Sequence, residues 1–398
     1  MRALSRRRML LGGAAAGAGV AALTACTPGI DETPQDSLLD VGTDTIPFFG
    51  THQAGIATPP QAFATFVALT LRNEADAEAI RRMLQVLTDD ASRLAEGRGA
   101  LADTEPELAR TPARLTVTLG FGSALVRRAA GRSAVPSWLK PLPSFGIDDL
   151  DDRWTGGDLL LHVAADDQVT VAHAVRMLLK TARATALPKW RQSGFRRSRG
   201  SEKPGTTMRN LFGQVDGTVN LRPEDDDFAS GVWNDEGWMA GGTSCVLRRI
   251  RMDLDGWDRL DTPGRDQAMG RRQSDGAPLT GEHEFDEPDF EAMGPHGFSV
   301  IPDFSHIARA RGDDPRPTML RRSFNYDDDP VDAGDGGITD AGLLFLAYQR
   351  DVDEGFVPVQ RRLDELDLLN QWTTPVGSAV FAIPPGCQKG GFIGDTLF

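Results

Sequence analysis

The order of strand-like and helix-like segments constrains this 398-residue chain most, because one βαββαβ order runs through it twice. Ala62–Arg72 is apolar and rich in β-formers, and Ile80, Met83, Leu84, Leu87, Ala91 and Leu94 then recur on one helical face. Arg114–Gly122 and Asp158–Asp167 are predicted strands, a helix carries Val171, Val175 and Leu178, and Trp190–Ser198 is the fourth predicted strand. Thr243–Leu254 restarts the series as a strand, followed by a short helix near Trp257. Strands over Met319–Tyr326 and Gly342–Arg350, a helix with Phe356, Val359, Leu363 and Leu366, and a strand over Ser378–Pro384 complete it. Each half buries one sheet face under its own helices, so the fold class is α+β, two ferredoxin-like βαββαβ units.

The ends lie outside that pattern. Ser5-Arg6-Arg7-Arg8-Met9-Leu10 reads as a twin-arginine export signal, followed by a short Gly- and Ala-rich apolar run and then Leu23-Thr24-Ala25-Cys26, which reads as a lipobox. Residues 1–26 are therefore a leader, and Cys26 is the expected lipid-bearing residue, anchoring the protein to the outer face of a membrane without a span. Residues 27–45 are a polar tether. Residues 46–220 and 221–398 are the expected N-terminal and C-terminal units, a length of roughly 350 residues that suits a doubled fold. Twin-arginine export carries proteins already folded, which suits a cytoplasmically loaded cofactor.

Formal net charge is −14, and Arg2, Arg6, Arg7 and Arg8 lie in the leader, so the mature chain is more acidic still. Such a surface repels nucleic acid and anionic headgroups. The three cysteines, Cys26, Cys245 and Cys387, make no disulfide scaffold, and a Cys-x-x-Cys-His haem attachment motif is absent. Cys245 reads as a buried apolar filler in a strand. Cys387 follows Pro384-Pro385-Gly386 in a turn, and a bridge between the two is left open. Leu101–Trp154, with one strand, and Gln267–His296 are long and rich in Pro, Gly and charge; loops of this length commonly cover a site.

The chemistry concentrates in three places. Gly213-Gln214-Val215-Asp216-Gly217-Thr218-Val219-Asn220 sets one carboxylate among small residues, where backbone can approach a flat ligand. Ile301-Pro302-Asp303-Phe304-Ser305-His306 ends in a histidine before an Arg-rich loop. Met319-Leu320-Arg321-Arg322-Ser323-Phe324-Asn325-Tyr326 is a basic strand, in which Arg321 and Arg322 face opposite sides. Taken alone, Asp216 is a turn aspartate in Asp-Gly. An acid, a histidine and an arginine together are what peroxide chemistry at a haem iron needs.

These segments, together with Phe48-Phe49-Gly50-Thr51-His52-Gln53, Arg248-Arg249-Ile250-Arg251-Met252, Trp257-Asp258-Arg259 and Phe381-Ala382-Ile383-Pro384-Pro385-Gly386, resemble in order the dye-decolorizing (DyP-type) haem peroxidases, in their exported EfeB-like branch. The resemblance implies a dimeric α/β-barrel-type pairing of the two units. It implies one non-covalent haem b per chain, held mainly by the C-terminal unit with His306 as the iron's axial ligand. A ligating histidine gives its other N–H to an acceptor; Asp351 fits the family position for that acid, and Asp303 is nearer in sequence.

The resemblance assigns peroxide deprotonation to Asp216 and a permanent positive charge to Arg321, the distal arginine. Gly217, Thr218 and Val219 line the porphyrin by backbone, and Arg316, in Asp313-Asp314-Pro315-Arg316 where relatives have Asn-Pro-Arg, meets a propionate. The other histidines, His52, His162, His173, His283 and His296, receive no chemistry. The seven tryptophans and two tyrosines, Tyr326 and Tyr348, are candidate radical relays. The implied reaction reduces hydrogen peroxide and oxidises an aromatic or dye-like donor through an oxyferryl species. The alternative is a haem- or iron-acquisition protein, deferrochelatase-like or oxidising ferrous iron beside an iron-uptake permease; a non-enzymatic lipoprotein would leave the acid, histidine and arginine idle.

Export is expected to depend on the arginine pair: with Arg6 and Arg7 both changed to Lys, the protein should accumulate in the cytoplasm with its translocase unengaged. Cys26→Ala should lose a metabolic lipid label, and a wild-type protein free of lipid contradicts the lipobox.

Overall fold

The computed structural model describes residues 40–312, 318–329 and 340–398. Residues 1–26, expected to be a leader ending at Cys26, and the Asp313–Arg316 segment lie outside the described residues. A single helical turn, α1 (Asp40–Thr43), precedes the first unit, which runs β1 (Phe63–Leu71), α2 (Ala77–Ala95), β2 (Thr116–Phe121), α3 (Ser123–Ala130), β3 (Leu159–Ala165), α4 (Gln168–Ala182) and β4 (Ala186–Phe195). After α5 (Phe228–Val232), the second unit runs β5 (Thr243–Met252), α6 (Leu254–Trp257), α7 (Thr262–Met269), α8 (His306–Arg311), β6 (Leu320–Arg321), β7 (Phe324–Asp328), β8 (Asp340–Gln349), α9 (Phe356–Leu366) and β9 (Thr373–Ile383).

Local chemistry sets the boundaries. α2 opens at Asp76, whose carboxylate accepts from the Ala79 amide at 2.8 Å, and α4 opens at Asp167, which accepts from the Thr170 amide at 2.8 Å. The predicted stripe of α2, from Ile80 to Leu94, is buried. α3 lies in the stretch expected to hold one strand and loop. With Leu125 and Val126 as its only buried residues, its apolar stripe is too short to read as a period.

All strand pairs are antiparallel, in the order β5-β9-β2-β3-β1-β4-β7-β8-β6, and β5 also pairs with β8. The sheet therefore closes on itself, with four strands from the first unit and the rest from the second. The halves meet at two narrow seams, Phe121 opposite Ala382 and Phe195 opposite Asn325. Inside the ring lies an apolar cluster with Phe66, Phe324, Phe381 and Leu346. α2 and α4 cover the outer face of the first half. β3 is buried along both faces, which explains its unbroken Leu159-Leu160-Leu161 run.

The predicted strand Met319–Tyr326 appears as two pieces in one register. Arg321 pairs with Ala347 and Phe324 with Leu344. The ladder lapses at Ser323, whose carbonyl accepts from Arg196 Nε at 2.7 Å. Arg322 still donates its amide to Leu346 at 2.8 Å. Cys245 and Cys387 are buried free thiols, so the bridge left open by sequence is not formed. Among the described residues no helix is long and apolar enough to cross a membrane.

Near the first seam Gln53 stands in for a missing strand partner. Its amide donates to Leu119 O at 3.0 Å and Pro384 O at 2.9 Å, and its carbonyl accepts from Leu119 N at 2.8 Å. Gln53→Leu strands these buried groups together and is expected to lower unfolding free energy by about 1–3 kcal/mol, measured by denaturant titration. An unchanged midpoint contradicts the role given to Gln53 at this seam.

Candidate active site

Two elements far apart in sequence fix His306. It is the first residue of α8, and α8 lies against α9. Arg309 Nε donates to Arg362 O and Arg362 Nε to Arg309 O, each at 3.2 Å, and the Leu368 amide donates to Phe304 O at 2.9 Å. These bonds bring Asp367, at the end of α9, beside the imidazole, where Asp367 Oδ2 lies 2.7 Å from His306 Nδ1. The other oxygen of Asp367 accepts from the Leu369 amide at 3.0 Å, so the carboxylate is held at both ends. An ionised Asp367 makes Nδ1 the donor and leaves Nε2 free to ligate. Burial alone would push the His306 pKa down; the Asp367 charge and hydrogen bond, aided by Asp216, hold it above the usual histidine value.

This corrects the expected acceptor. Asp351 spends its side chain on the Asp353 amide at 2.7 Å, in the turn that ends β8, and does not line the site. Asp303 is exposed. Asp367 carries no local motif, and only the return of α9 over the sheet brings it to His306.

Across the same cavity stands the pair expected from sequence. Arg321 Nη1 lies 3.2 Å from Asp216 Oδ1. Arg321 Nη2 donates to Val219 O at 2.7 Å. Asn210 Nδ2 lies 3.4 Å from the second Asp216 oxygen. Gly217, at φ +126°, supplies a conformation that side-chain-bearing residues resist, directly after the acid. Asn220 holds the arginine's strand: its Oδ1 accepts from Arg321 N at 2.7 Å and its Nδ2 donates to Arg321 O at 2.9 Å. Arg322 turns the other way, buried against the Thr58 carbonyl and Gln61.

The long polar stretch does cover the site. Glu284 accepts from the Thr207 and Thr218 hydroxyls at 2.6 and 2.9 Å. Arg271 donates to the carbonyls of Gly276 and Glu284, each at 2.8 Å, and lines the cavity. Glu284, Arg271, Asn210, Asn220 and Asp367 were not assigned from sequence. Asn220 had a local signal, since it closes the Gly213–Asn220 segment; the charged composition of the loop hid the burial of Arg271.

Asp216, Gly217, Thr218, Val219, His306 and Arg321 all line one cavity of about 270 Å³. Ile250, Leu343, Phe345, Phe356 and Leu363 give it apolar walls. Arg316 lies outside the described residues. Among the described residues no cluster of three or more His, Cys, Asp or Glu could hold a metal ion. His306 offers one nitrogen, and the slot around it is apolar with an acid and a permanent cation at its other side. That donor set fits an iron whose remaining in-plane ligands come from a flat macrocycle.

Residues 53–196 match the N-terminal model of the Dyp-type peroxidases and residues 207–388 the C-terminal model. The chain belongs to the Dyp-type peroxidase family. It is 36% identical over 368 residues to the dye-decolorizing peroxidase of Thermobifida fusca, covering 87% of this chain and 83% of that protein. It is 33% identical over 420 residues to a deferrochelatase of Shigella flexneri, covering 99% and 96%. The solved DyP-type peroxidase from Cellulomonas bogoriensis superposes with TM-score 0.86 at 52% identity, over 90% of this chain and 99% of that one. Ferric DtpA from Streptomyces lividans gives TM-score 0.86 at 40% identity, over 90% and 98%. The protein is thus a haem peroxidase, and its mixed α/β fold with a large antiparallel sheet is that of the family.

Two substitutions test the histidine side. His306→Ala is expected to abolish stable haem loading or change the ferric absorption spectrum, and an unchanged spectrum contradicts its assignment. Asp367→Asn is expected to keep the haem and cost on the order of 10- to 100-fold in haem affinity or turnover; Asp351→Asn is expected to leave both unchanged.

Proposed function

We propose that this chain reduces hydrogen peroxide at one non-covalent haem b and oxidises small aromatic or dye-like donors. The observation that carries the reading is the cavity shared by the His306–Asp367 pair and the Asp216–Arg321 pair. When bound, the haem accepts the two oxidising equivalents of peroxide and returns them to donors one electron at a time. His306 would hold the iron through Nε2, with Asp367 on Nδ1 making the ring a stronger donor. Gly217, Thr218 and Val219 would lie along the porphyrin, and Arg316 would meet a propionate.

Asp216 and Arg321 divide the distal work. Peroxide entering beside Asp216 gives its proton to the ionised carboxylate and takes it back on the departing oxygen, which leaves as water. Arg321 sets a fixed cation beside the oxygens as charge develops there, and its bond to the Val219 carbonyl points the guanidinium before the reaction begins. The apolar walls exclude bulk water and strengthen that charge.

The protein is proposed to leave the cytoplasm through the twin-arginine translocase and to stay at the membrane by a lipid on Cys26, with no nucleic-acid partner. A second reading, iron recovery from haem with a permease as partner, draws on the deferrochelatase relatives. It does not need Asp216 or Arg321, and mass spectrometry for iron-free porphyrin after incubation with haem separates the two.

Stopped-flow mixing of the haem-loaded protein with peroxide tests the distal assignment. Arg321→Leu is expected to slow the first spectral change by on the order of a hundredfold or more at every pH, because a guanidinium does not titrate away. Asp216→Ala is expected to slow it as well, by less than the arginine variant. Unchanged rates in both variants contradict the distal pair.

A further inference from the structure

The charged stretch over the haem cavity holds its own shape. Arg272 donates to the carbonyls of Gly281 and Glu282 at 2.9 and 3.1 Å. Asp286 accepts from the amides of Glu282 and His283 at 2.7 and 2.9 Å, and Arg271 clasps the Gly276 and Glu284 carbonyls. None of these bonds depends on the rest of the protein.

Its outward bonds fall into two groups. At its root, the carbonyls of Gln273 and Ser274 accept from Arg209 at 2.7 and 2.9 Å, and Gln273 Nε2 donates to the Phe212 carbonyl at 3.1 Å. Beyond the root two carboxylates reach out. Glu284 Oε1 accepts both the Thr207 and the Thr218 hydroxyls, on the side of the cavity that carries Asp216. Three residues later Glu287 pairs with Arg311, the last residue of the helix that begins at His306. Residues 284–287 therefore cross from the acid side of the cavity to the histidine side, and Pro288 and Phe290 then line it.

This crossing is the weakest of the described walls. β5 and β8 form one wall and α8 with α9 another, each a packed element, and the Gly213–Asn220 segment is bonded to β6 through Asn220. Residues 281–291 have no regular structure, and only Pro288 among them is buried. Phe285 is 60% exposed, under the Arg222 guanidinium. A segment with so little buried apolar surface opens at lower free energy than the helices and strands around it.

We propose that residues 281–290 are a strap that parts for haem to enter or leave, latched chiefly by Glu284 and more weakly by Glu287. This rests on the chain binding haem between His306 and Asp216. Glu284 is half-buried and holds two hydroxyls, whereas the Glu287 carboxylate is 71% exposed, so water and salt screen its bond to Arg311. Neither glutamate lines the cavity. A latch that touches protein alone stabilises the closed strap equally with and without haem. Its loss therefore speeds entry and exit together and leaves affinity unchanged, whereas loss of a haem contact speeds exit alone. In the peroxidase a closed strap retains haem through repeated turnovers, and in a haem-acquisition protein the same strap would be the point of release.

Two rates test this. Soret absorbance after stopped-flow mixing of apoprotein with haemin gives entry, and transfer from haem-loaded protein to excess apomyoglobin gives exit. Glu284→Ala is expected to raise both on the order of tenfold or more, with their ratio kept to within about threefold. Thr207→Val, which removes one of the two hydroxyls, is expected to raise both by less, and adding it to Glu284→Ala should change nothing further. Glu287→Ala is expected to raise both by about twofold, and only at low salt. Should Glu284→Ala fail to fold, Thr207→Val decides alone. Exit that quickens while entry does not would make Glu284 a haem contact and overturn the strap, as would unchanged rates in both Glu284→Ala and Thr207→Val. Either result leaves the peroxidase reading standing; a wild type that takes up no haem overturns that reading itself.

Discussion

The alternation of side chains at Arg321 and Arg322 organises this molecule. Two adjacent cations on one strand point to opposite faces of the second unit's sheet, as the pleat requires. One meets Asp216 in the cavity under α8 and α9. The other is buried against Thr58 and Gln61 of the first unit. A slip of one residue in this register would turn every side chain to the other face, putting either Leu320 where Arg321 meets Asp216 or Ser323 where Arg322 is buried against the first unit. The single register shared by β6 and β7 against β8 prevents that slip, and the Asn220 side chain grips the Arg321 backbone from the free edge. The catalytic reading and the joining of the two halves thus rest on one stretch of ladder.

The same sheet separates two chemistries. Its outer face, with Leu343 and Phe345, walls the haem cavity; its inner face, with Leu344, Leu346 and Tyr348, belongs to the core between the halves. There the Tyr348 hydroxyl on β8 meets His162 Nδ1 on β3 at 3.2 Å, a polar contact between the two halves.

Much of this was legible in the sequence, for physical reasons. Strands buried on both faces, such as β3, show as apolar runs, and α2 shows its 3.6-residue stripe. The segment from Gly213 to Asn220 is local, so its acid and its backbone freedom could be read together, and the opposite facing of Arg321 and Arg322 follows from the pleat alone. The acid behind His306 was not legible. Asp351 lay at the end of a predicted strand, whereas Asp367 reaches the histidine only because α8 and α9 exchange hydrogen bonds from arginine side chains to backbone carbonyls. Arg271 and Glu284 were hidden likewise: a charged, Pro- and Gly-rich stretch gives no sign that two of its side chains turn inward. Pairings set by tertiary return leave no period and no spacing to detect.

The central claim is that His306, with Asp367 behind it, faces Asp216 and Arg321 across a bound haem. A crystal structure of the haem-loaded protein tests this most directly. The account predicts iron bonded to His306 Nε2, Asp367 on Nδ1, and both Asp216 and Arg321 on the opposite face of the porphyrin. Iron bound by another residue, or Asp216 and Arg321 on the same face as the ligand, would contradict it.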